Sequence, residues 1–215
     1  MKEEKENETE EAEKEKSPKK KSGSLLYTII AVLSVLILGV RIWWVNSFGI
    51  VQVDGNSMLQ TLEDGDQLLM QFVHDGRGLK RGDVIVVNTG GYTEVKDEAG
   101  NQINFLIKRL IAVEGDKVRC TDGEIEICYA GTENYVPLFE PYAYYDGSKA
   151  TYDFEYVVGE GEIFFLGDNR LHSLDSRYNE NGSHLSHLYK ATDVYGIVPQ
   201  WAMDNQEIIQ KLLIH

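Results

Sequence analysis

The pattern of apolar and polar residues divides the chain into three parts. The first 24 residues are mostly Glu and Lys, and such a segment cannot bury enough apolar surface to offset the entropy of ordering. Residues 25–40 carry no charge, and the apolar run continues through 42–45 after a single arginine, Arg41. About 20 apolar residues are needed to cross a bilayer core. We therefore predict a disordered tail at 1–24, a transmembrane anchor at 25–46 and a folded part at 47–215.

Charge predicts the orientation of this anchor. Five lysines lie within the 11 residues just before the apolar run, whereas Arg41 is the only basic residue near its far end. The positive-inside rule therefore puts the N-terminus in the cytoplasm and the residues after about 46 outside, in a single-pass protein of the cell membrane. The alternative is a cleaved secretory signal peptide, since Val45-Asn46-Ser47 is a tolerable cleavage pattern. The run is longer than the ~7–15 apolar residues of such a peptide, which favours an uncleaved anchor.

Beyond residue 49 the pattern is that of β-strands. Short apolar or alternating runs lie at 67–73, 83–88, 103–113, 117–127, 151–158 and 162–166. Turns with Gly and Asp separate them, as in a mostly β fold. The absence of strand–helix alternation argues against a doubly wound parallel sheet. Near the end, residues 204–213 are typical of a short helix, with Glu207 three residues after Asp204 as in a capping box.

Composition excludes several classes of partner. The formal net charge of −14 argues against a nucleic-acid partner, which would require clustered Lys and Arg. The two cysteines, Cys120 and Cys128, form neither a disulfide framework nor a zinc-ligand set, and we expect no metal and no cofactor. If Asp122-Gly123 is a two-residue turn, Cys120 lies opposite Ile125, so a bridge to Cys128 would need another register. A disulfide stays open for an extracytoplasmic segment.

One serine has the setting of a nucleophile. Ser57 follows a β-like run and the turn-forming pair Gly55-Asn56, which can present a hydroxyl at the end of a strand. A hydroxyl becomes a useful nucleophile only when a nearby base removes its proton. A turn residue or a helix N-cap is the commoner role of such a serine.

Two kinds of base are available to that serine. The chain has five histidines, so a Ser-His-Asp arrangement with Asp175 as third member stays open; they are His74, His172, His184, His187 and His215. The other candidate is Lys108, which strand alternation places on one face with Leu106, Leu110 and Ala112. Burial lowers the pKa of a lysine by up to ~3–5 units and so makes it a usable base. A lysine on an edge strand that reaches water is the alternative.

Four blocks of sequence, in this order, resemble type I signal peptidases, the membrane-anchored Ser-Lys proteases. The blocks are 55–62, 81–86, 107–116 and 167–177, and the resemblance extends from about residue 25 to 200. Within them Gln60 stands where the family usually has proline, and Ala112 and Glu114 stand where Gly and Pro are common. We expect the loss of proline at Gln60 to loosen the loop.

The resemblance implies a role for each matching residue. Ser57 would be the nucleophile and its backbone N–H an oxyanion donor, and Lys108 would be the general base. Ser173 would hydrogen-bond and orient Lys108, with Asp175 and Arg177 forming an ion pair behind the site. Three further residues would brace the loop: Asp168, Asn169 and Arg170. Some family members have a second oxyanion donor, a hydroxyl, where this chain has Gly55. Either a backbone donor or water replaces it, or the developing charge is less well stabilised.

The resemblance also implies a fold and partners. The fold would be a signal-peptidase-like antiparallel β domain with a smaller inserted lobe at about 115–160. The substrates would be preproteins with small residues before the cut, held in shallow pockets for which Val53 and Ile107 are candidate walls. Membrane lipid would be the other partner, and we expect a monomer. The tyrosines Tyr142, Tyr144 and Tyr145 would be half-buried aromatics or a binding surface.

Two other functions remain compatible with parts of the pattern. A self-cleaving repressor related to the SOS response regulators would use the same Ser-Lys pair, but it would need a DNA-binding segment in place of the anchor. A non-catalytic or client-dedicated assembly factor, such as one for pilin-like surface fibres, would keep the scaffold. The presence of both Ser57 and Lys108 argues against lost activity.

Overall fold

The computed structural model describes residues 22–89, 105–147, 153–177 and 189–213. The chain divides into two compact units, Met1–Asn46 and Ser47–His215. The tail predicted to be disordered lies outside the described residues except for its last three positions, where the first helix already begins.

Helix α1 (Ser22–Ser47) contains the predicted anchor. Its segment Ser24–Ser47 is 24 residues long with a mean hydropathy of 2.4, which is long and apolar enough to cross a membrane. Two hydroxyls in the apolar segment bond within the helix, since Thr28 and Ser34 each donate to the carbonyl oxygen four residues earlier. Such internal bonding allows polar side chains in an apolar span.

The second unit has two antiparallel sheets among its described residues. Its strands are β1 (Phe48–Gln52), β2 (Gln67–Phe72), β3 (Val84–Asn88), β4 (Phe105–Val113), β5 (Lys117–Thr121), β6 (Glu124–Cys128), β7 (Val136–Pro137), β8 (Phe154–Val157), β9 (Glu162–Leu166), β10 (Tyr189–Lys190) and β11 (Val194–Val198). The larger sheet has the order β1-β2-β11-β3-β4-β9-β10, and the smaller has the order β7-β6-β5-β8. The expected mostly β, antiparallel fold is confirmed.

Strand β4 departs from the predicted alternation at its end. Its register on β9 shifts between Leu110 and Ala112, so Ile111 is an extra residue in a β-bulge. Leu106 and Leu110 pack in one buried cluster, but Ala112 packs with Ile111 in another. The prediction that Ala112 shares a face with Leu110 is therefore wrong, because a bulge resets which face each residue occupies.

The smaller sheet lies within the range predicted for the inserted lobe. Cys120 is opposite Ile125, as the two-residue turn requires, and Cys128 is opposite Lys117. Both cysteines are buried and carry free thiols, so the disulfide that was left open is not formed.

The chain ends in two short helices, where one was predicted. Helix α2 (Gln200–Asp204) precedes α3 (Gln206–Leu213). Asp204 is the last residue of α2 and accepts a hydrogen bond from Gln200, so it is not the cap of α3. Asn205 takes that place, since its carbonyl oxygen accepts the backbone N–H groups of Ile208 and Ile209.

Candidate active site

Ser57 lies in a tight loop between β1 and β2. The backbone N–H groups of Thr61 and Leu62 both donate to the carbonyl oxygen of Met58, which closes a helical turn directly after the serine. Met58 and Leu62 are fully buried, whereas Ser57 is half-buried. The buried side chains of Met58 and Leu62 thus anchor the turn in the core, while the Ser57 hydroxyl stays at the surface of the core. Gly55 has a φ of 84°, a left-handed conformation that suits glycine.

Lys108 reaches this hydroxyl from the middle of β4. Its Nζ donates to Ser57 Oγ at 2.6 Å and to the carbonyl oxygen of Ile107 at 2.8 Å. The side chain is only 2% exposed. Desolvation lowers the pKa of Lys108 to about 8, although Asp175 and Asp168 pull it upward. Burial between leucines therefore has the effect that strand periodicity predicted, and the alternative of a lysine that reaches water is excluded.

Ser173 does not make the expected hydrogen bond to Lys108. Its Oγ is buried without a hydrogen-bond partner among the described residues. The hydroxyl lies against Gly167, where any side chain at residue 167 would collide with it. Lys108 instead uses Ser57 and its neighbouring carbonyl oxygen. The predicted contact is therefore wrong for this structure.

Asp175 and Arg177 form the predicted ion pair. Nε and Nη2 of Arg177 donate to the two carboxylate oxygens of Asp175 at 2.7 and 2.8 Å. Asp175 also accepts the backbone N–H of Gly167 at 3.0 Å. Both side chains are almost completely buried, so the pair holds the Gly167 turn beside the serine loop.

A second buried ion pair joins the lysine strand to the serine loop. Arg109 donates through Nε and Nη2 to the two oxygens of Asp168, at 2.8 and 2.6 Å. The hydroxyl of Thr61 donates to Asp168 as well, at 2.5 Å. Since Arg109 follows Lys108 and Thr61 lies four residues after Ser57, this carboxylate connects both halves of the site. Sequence reasoning gave Asp168 a bracing role but missed these two partners.

Asn169 holds the serine from the other side. Its backbone N–H donates to the carbonyl oxygen of Ser57, and its Nδ2 donates to that of Asn56, both at 3.0 Å. The bracing role expected for Asp168 and Asn169 fits these contacts. In the sequence, the only signal for these contacts is that the segments of Ser57 and Asn169 both belong to the four ordered motifs.

The tyrosines of the lobe cover the bracing loop. Arg109 lies over the ring of Tyr142, 4.0 Å from its centre. Arg170 forms a 2.6 Å ion pair with Glu140 and a hydrogen bond to the hydroxyl of Tyr145. The half-buried aromatics that were expected therefore pack on arginines of the site.

The structure does not place a described histidine at Ser57. His74 and His172 are exposed, and Asp175 is engaged by Arg177. His184, His187 and His215 lie outside the described residues. No group of three metal-ligating side chains occurs in the described part of the chain.

Comparison with known proteins identifies the family of this chain. The family model described as signal peptidase, peptidase S26, matches residues 24–202. Signal peptidase I T of Bacillus subtilis (strain 168) is 34% identical over 190 residues, covering 82% of this chain and 85% of the relative. Signal peptidase I U of the same organism is 30% identical over 161 residues, covering 74% and 79%. The chain belongs to the signal peptidase family, peptidase S26.

A solved signal peptidase I from Enterococcus faecalis V583 aligns with 57% of this chain and 98% of its own, at 26% identity and a TM-score of 0.40. Because this TM-score is low, the family membership rests on the family model and the Bacillus relatives alone. Family membership makes this chain a membrane-anchored serine peptidase that removes signal peptides.

The signal peptidase motif is altered at Gln60, where the backbone is left-handed. Gln60 has a φ of 75°. Proline is locked near −65°, so the usual family residue could not occupy this conformation. The expectation that Gln60 only loosens the loop is therefore too simple, because its φ is one that proline cannot adopt.

The two candidate pocket walls lie in one apolar cluster beside the serine. Val53 is buried with Met58 and Leu68, and Ile107 is partly buried against the same cluster. Ile107 therefore offers more surface to a substrate than Val53 does.

Proposed function

We propose that this signal peptidase cuts its substrates with a Ser57–Lys108 dyad. The observation that carries the proposal is the 2.6 Å hydrogen bond between Lys108 Nζ and Ser57 Oγ, in a site where the amine is almost fully shielded from water. A pKa of about 8 leaves a substantial neutral fraction of Lys108 near neutral pH. Both groups belong to one chain, so a monomer suffices for the reaction.

The mechanism follows from this geometry. Neutral Lys108 takes the proton of Ser57 as the oxygen attacks the substrate carbonyl, and then gives it to the departing amine. A water molecule activated by the same amine hydrolyses the acyl-enzyme. The backbone N–H of Ser57 would stabilise the oxyanion. The bonds from Asn169 to the carbonyl oxygens of Asn56 and Ser57 hold this segment in place.

We propose that the substrates have small residues before the cut. Ile107 and Val53 belong to an apolar cluster next to the dyad, which would form shallow pockets for such side chains. The charge pattern supports a cytoplasmic N-terminus and an extracytoplasmic site. The partners would then be translocated preproteins at the outer membrane surface.

The dyad predicts a defined pH dependence. Because only neutral Lys108 can act as the base, kcat/KM should rise as the pH increases towards about 8 and level off above that value. Below the pKa the rate should fall about tenfold per pH unit. The measurement is cleavage of a preprotein by the detergent-solubilised full chain between pH 5 and 10, values chosen to span roughly the titration of His and Lys.

Variants test the assignment of the groups. Ser57→Ala and Lys108→Ala should both reduce kcat by at least roughly a thousandfold. His172→Ala is the matched control and should leave the rate unchanged. Retained cleavage in Lys108→Ala with loss in a histidine variant would replace the dyad with a Ser-His mechanism.

A further inference from the structure

The apolar face beside the dyad continues into a row of aromatic side chains. Phe72, at the end of β2, contacts Tyr195 with ring centres 5.3 Å apart. Tyr195 contacts Phe105, at the start of β4, at 5.2 Å. On the other side the Phe72 ring lies over Gly49 of β1, so closely that a side chain there would collide with it. The row therefore crosses the sheet from β1 to β4.

All members of this row lie at one end of the sheet. Each pair of neighbouring strands from β1 to β4 is antiparallel, so β1 and β4 run in the same direction. Both strands start at the end where β2 stops and β11 begins. Ser57 follows the opposite end of β1, and Lys108 lies three residues after Phe105. Phe105 and Ile107 share one face of β4, the face of the apolar cluster that contains Val86 and Phe72. Lys108 projects from the opposite face, with Leu106 and Leu110. The row therefore leads away from Ile107, the neighbour of Lys108, towards the start of β4.

A β-bulge directs Tyr195 into the row. The register of β11 on β3 shifts between Val194 and Gly196, which leaves Tyr195 as the extra residue. Val194 and Ile197 pack in the same cluster on one face of the sheet, although residues three apart in a regular strand lie on opposite faces. The bulge therefore turns Tyr195 towards Phe72, which packs on the other cluster. Bulges commonly redirect side chains beside active sites.

Among the described residues of β4, the exposed apolar surface next to Lys108 lies towards the start of the strand. After Lys108 comes Arg109, which is buried in its ion pair with Asp168. Before it come Ile107, half-buried, and Phe105, 45% exposed. Tyr195 is also 45% exposed. Along β4, an apolar ligand that reaches Ile107 would therefore gain contacts towards Phe105 and Tyr195.

We propose that this aromatic row, Phe72–Tyr195–Phe105, binds the apolar segment of the substrate that precedes the cleavage point. A signal peptide has a stretch of ~7–15 apolar residues ahead of its small-residue cleavage site. Its small residues would lie at Ile107, and the apolar stretch would then lie on the open aromatic end of the same face. The proposal rests on the dyad as the point of cleavage.

A comparison of two substrates distinguishes binding of the apolar segment by the aromatic row from a general effect on activity. One carries a complete apolar segment before the cleavage site, and the other is a short peptide with only the residues around the cut. Tyr195→Ser and Phe105→Ser should each raise KM for the long substrate roughly tenfold, from the loss of apolar contact area. Their kcat/KM for the short peptide should stay within about twofold of the unmodified enzyme.

A matched control uses an exposed aromatic outside the row. Phe139 is 86% exposed in the lobe, and Phe139→Ser should change neither substrate's kinetics. Equal losses on both substrates, or no loss on the long one, would overturn the proposal. If Ser57→Ala cuts both substrates as the unmodified enzyme does, the proposed dyad mechanism is refuted. That result differs from the one that refutes the aromatic row.

The bilayer is the competing occupant of the row. The kinetics are therefore compared in detergent micelles and in vesicles of phosphatidylcholine and phosphatidylglycerol. The substrate-binding role predicts the same preferential loss on the long substrate in both. Losses on both substrates that appear only in vesicles would assign the row to lipid and overturn the proposal.

Cross-linking provides a measurement that does not depend on rates. In the Ser57→Ala chain, Phe105→Cys is mixed with a long substrate carrying one cysteine, and a copper–phenanthroline oxidant forms the disulfide. A cysteine in the apolar segment should cross-link, and one placed after the cleavage point should not. Cross-linking at both places, or equally to a Phe139→Cys control, would overturn the proposal.

Discussion

At the scale of single residues, the site depends on one lysine whose burial lowers its pKa. Lys108 is enclosed by the sheet, and desolvation rather than a neighbouring charge lowers its pKa to about 8. The buried carboxylates Asp168 and Asp175 act in the opposite direction, but their own arginines, Arg109 and Arg177, take most of their hydrogen bonds. The arginines therefore limit how far these carboxylates can stabilise the charged amine.

Gln60 permits a prediction about backbone conformation. Gln60→Pro should lower the free energy of unfolding by at least ~3 kcal/mol, because proline cannot adopt the positive φ found there. Gln60→Gly should raise it by roughly 0.5–1 kcal/mol, since glycine relieves the left-handed strain. Urea unfolding measures both, with Gln60→Asn as a near-neutral control. A stable, active Gln60→Pro would contradict the positive φ at this position.

At the scale of elements, separate braces hold the site and the lobe. Asp168 connects β4 to the turn after Ser57, while Arg81 connects the block before β3 to the lobe. Nε and Nη2 of Arg81 both donate to Asp116 at 2.6 Å. The backbone N–H groups of Val113 and Ala130 donate to the same carboxylate. The 81–86 block thus joins the two sheets rather than contributing to the chemistry.

This brace predicts a pH-dependent stability. Burial raises the pKa of Asp116, but the hydrogen bonds from Arg81 and the two backbone N–H groups outweigh it, so the pKa is lowered overall. Arg81→Ala should lower the free energy of unfolding by about 2 kcal/mol at pH 7, because the carboxylate stays buried without its partner.

The difference between Arg81→Ala and the unmodified chain should shrink with acidification. A lowered carboxyl pKa contributes stability above about pH 4 that is lost as the pH falls through the folded-state pKa. Arg77→Ala is the control, because Arg77 and Asp75 form an exposed 3.6 Å pair worth at most ~0.5 kcal/mol. Equal effects of the two variants in urea unfolding would contradict the structural role of Arg81.

At the scale of the whole molecule, the chain combines an apolar helix with a β unit that carries the peptidase site. The helix supplies the membrane attachment, and the β unit, Ser47–His215, contains both members of the proposed dyad. Only about ten residues separate the end of the helix from Ser57, a span of at most ~40 Å when fully extended. This short connection would keep Ser57, the proposed nucleophile, close to one membrane surface.

The proposed orientation can be tested with terminal epitopes. An epitope before Met1 should be removed by trypsin in inverted membrane vesicles and protected in protoplasts, because the lysine-rich tail favours the cytoplasm. An epitope after His215 should show the opposite behaviour and acts as the internal control. Removal of the first epitope in intact protoplasts would reverse the topology.

Much of the fold and part of the site could be predicted from local pattern. The strands at 67–73, 83–88 and 162–166 match the structure closely, since each has a short apolar run between turns. Lys108 was recognisable because it lies between leucines on one strand face, where burial of a charged ammonium group costs free energy and a lysine is rare without a functional role. The bulges at Ile111 and Tyr195 could not be predicted, since an extra residue in a strand is decided by its partner's register.

The sequence by itself determined the apolar helix, the β character of the rest and the choice of Ser57 and Lys108 as candidate reactive groups. These follow from charge, periodicity and motif order over a few consecutive residues. Only the tertiary structure decided that Lys108 reaches Ser57, that Ser173 turns to Gly167, and that Arg109 and Thr61 share Asp168. Such contacts join segments far apart in the chain, and their geometry depends on strand register and packing, which local preferences do not specify.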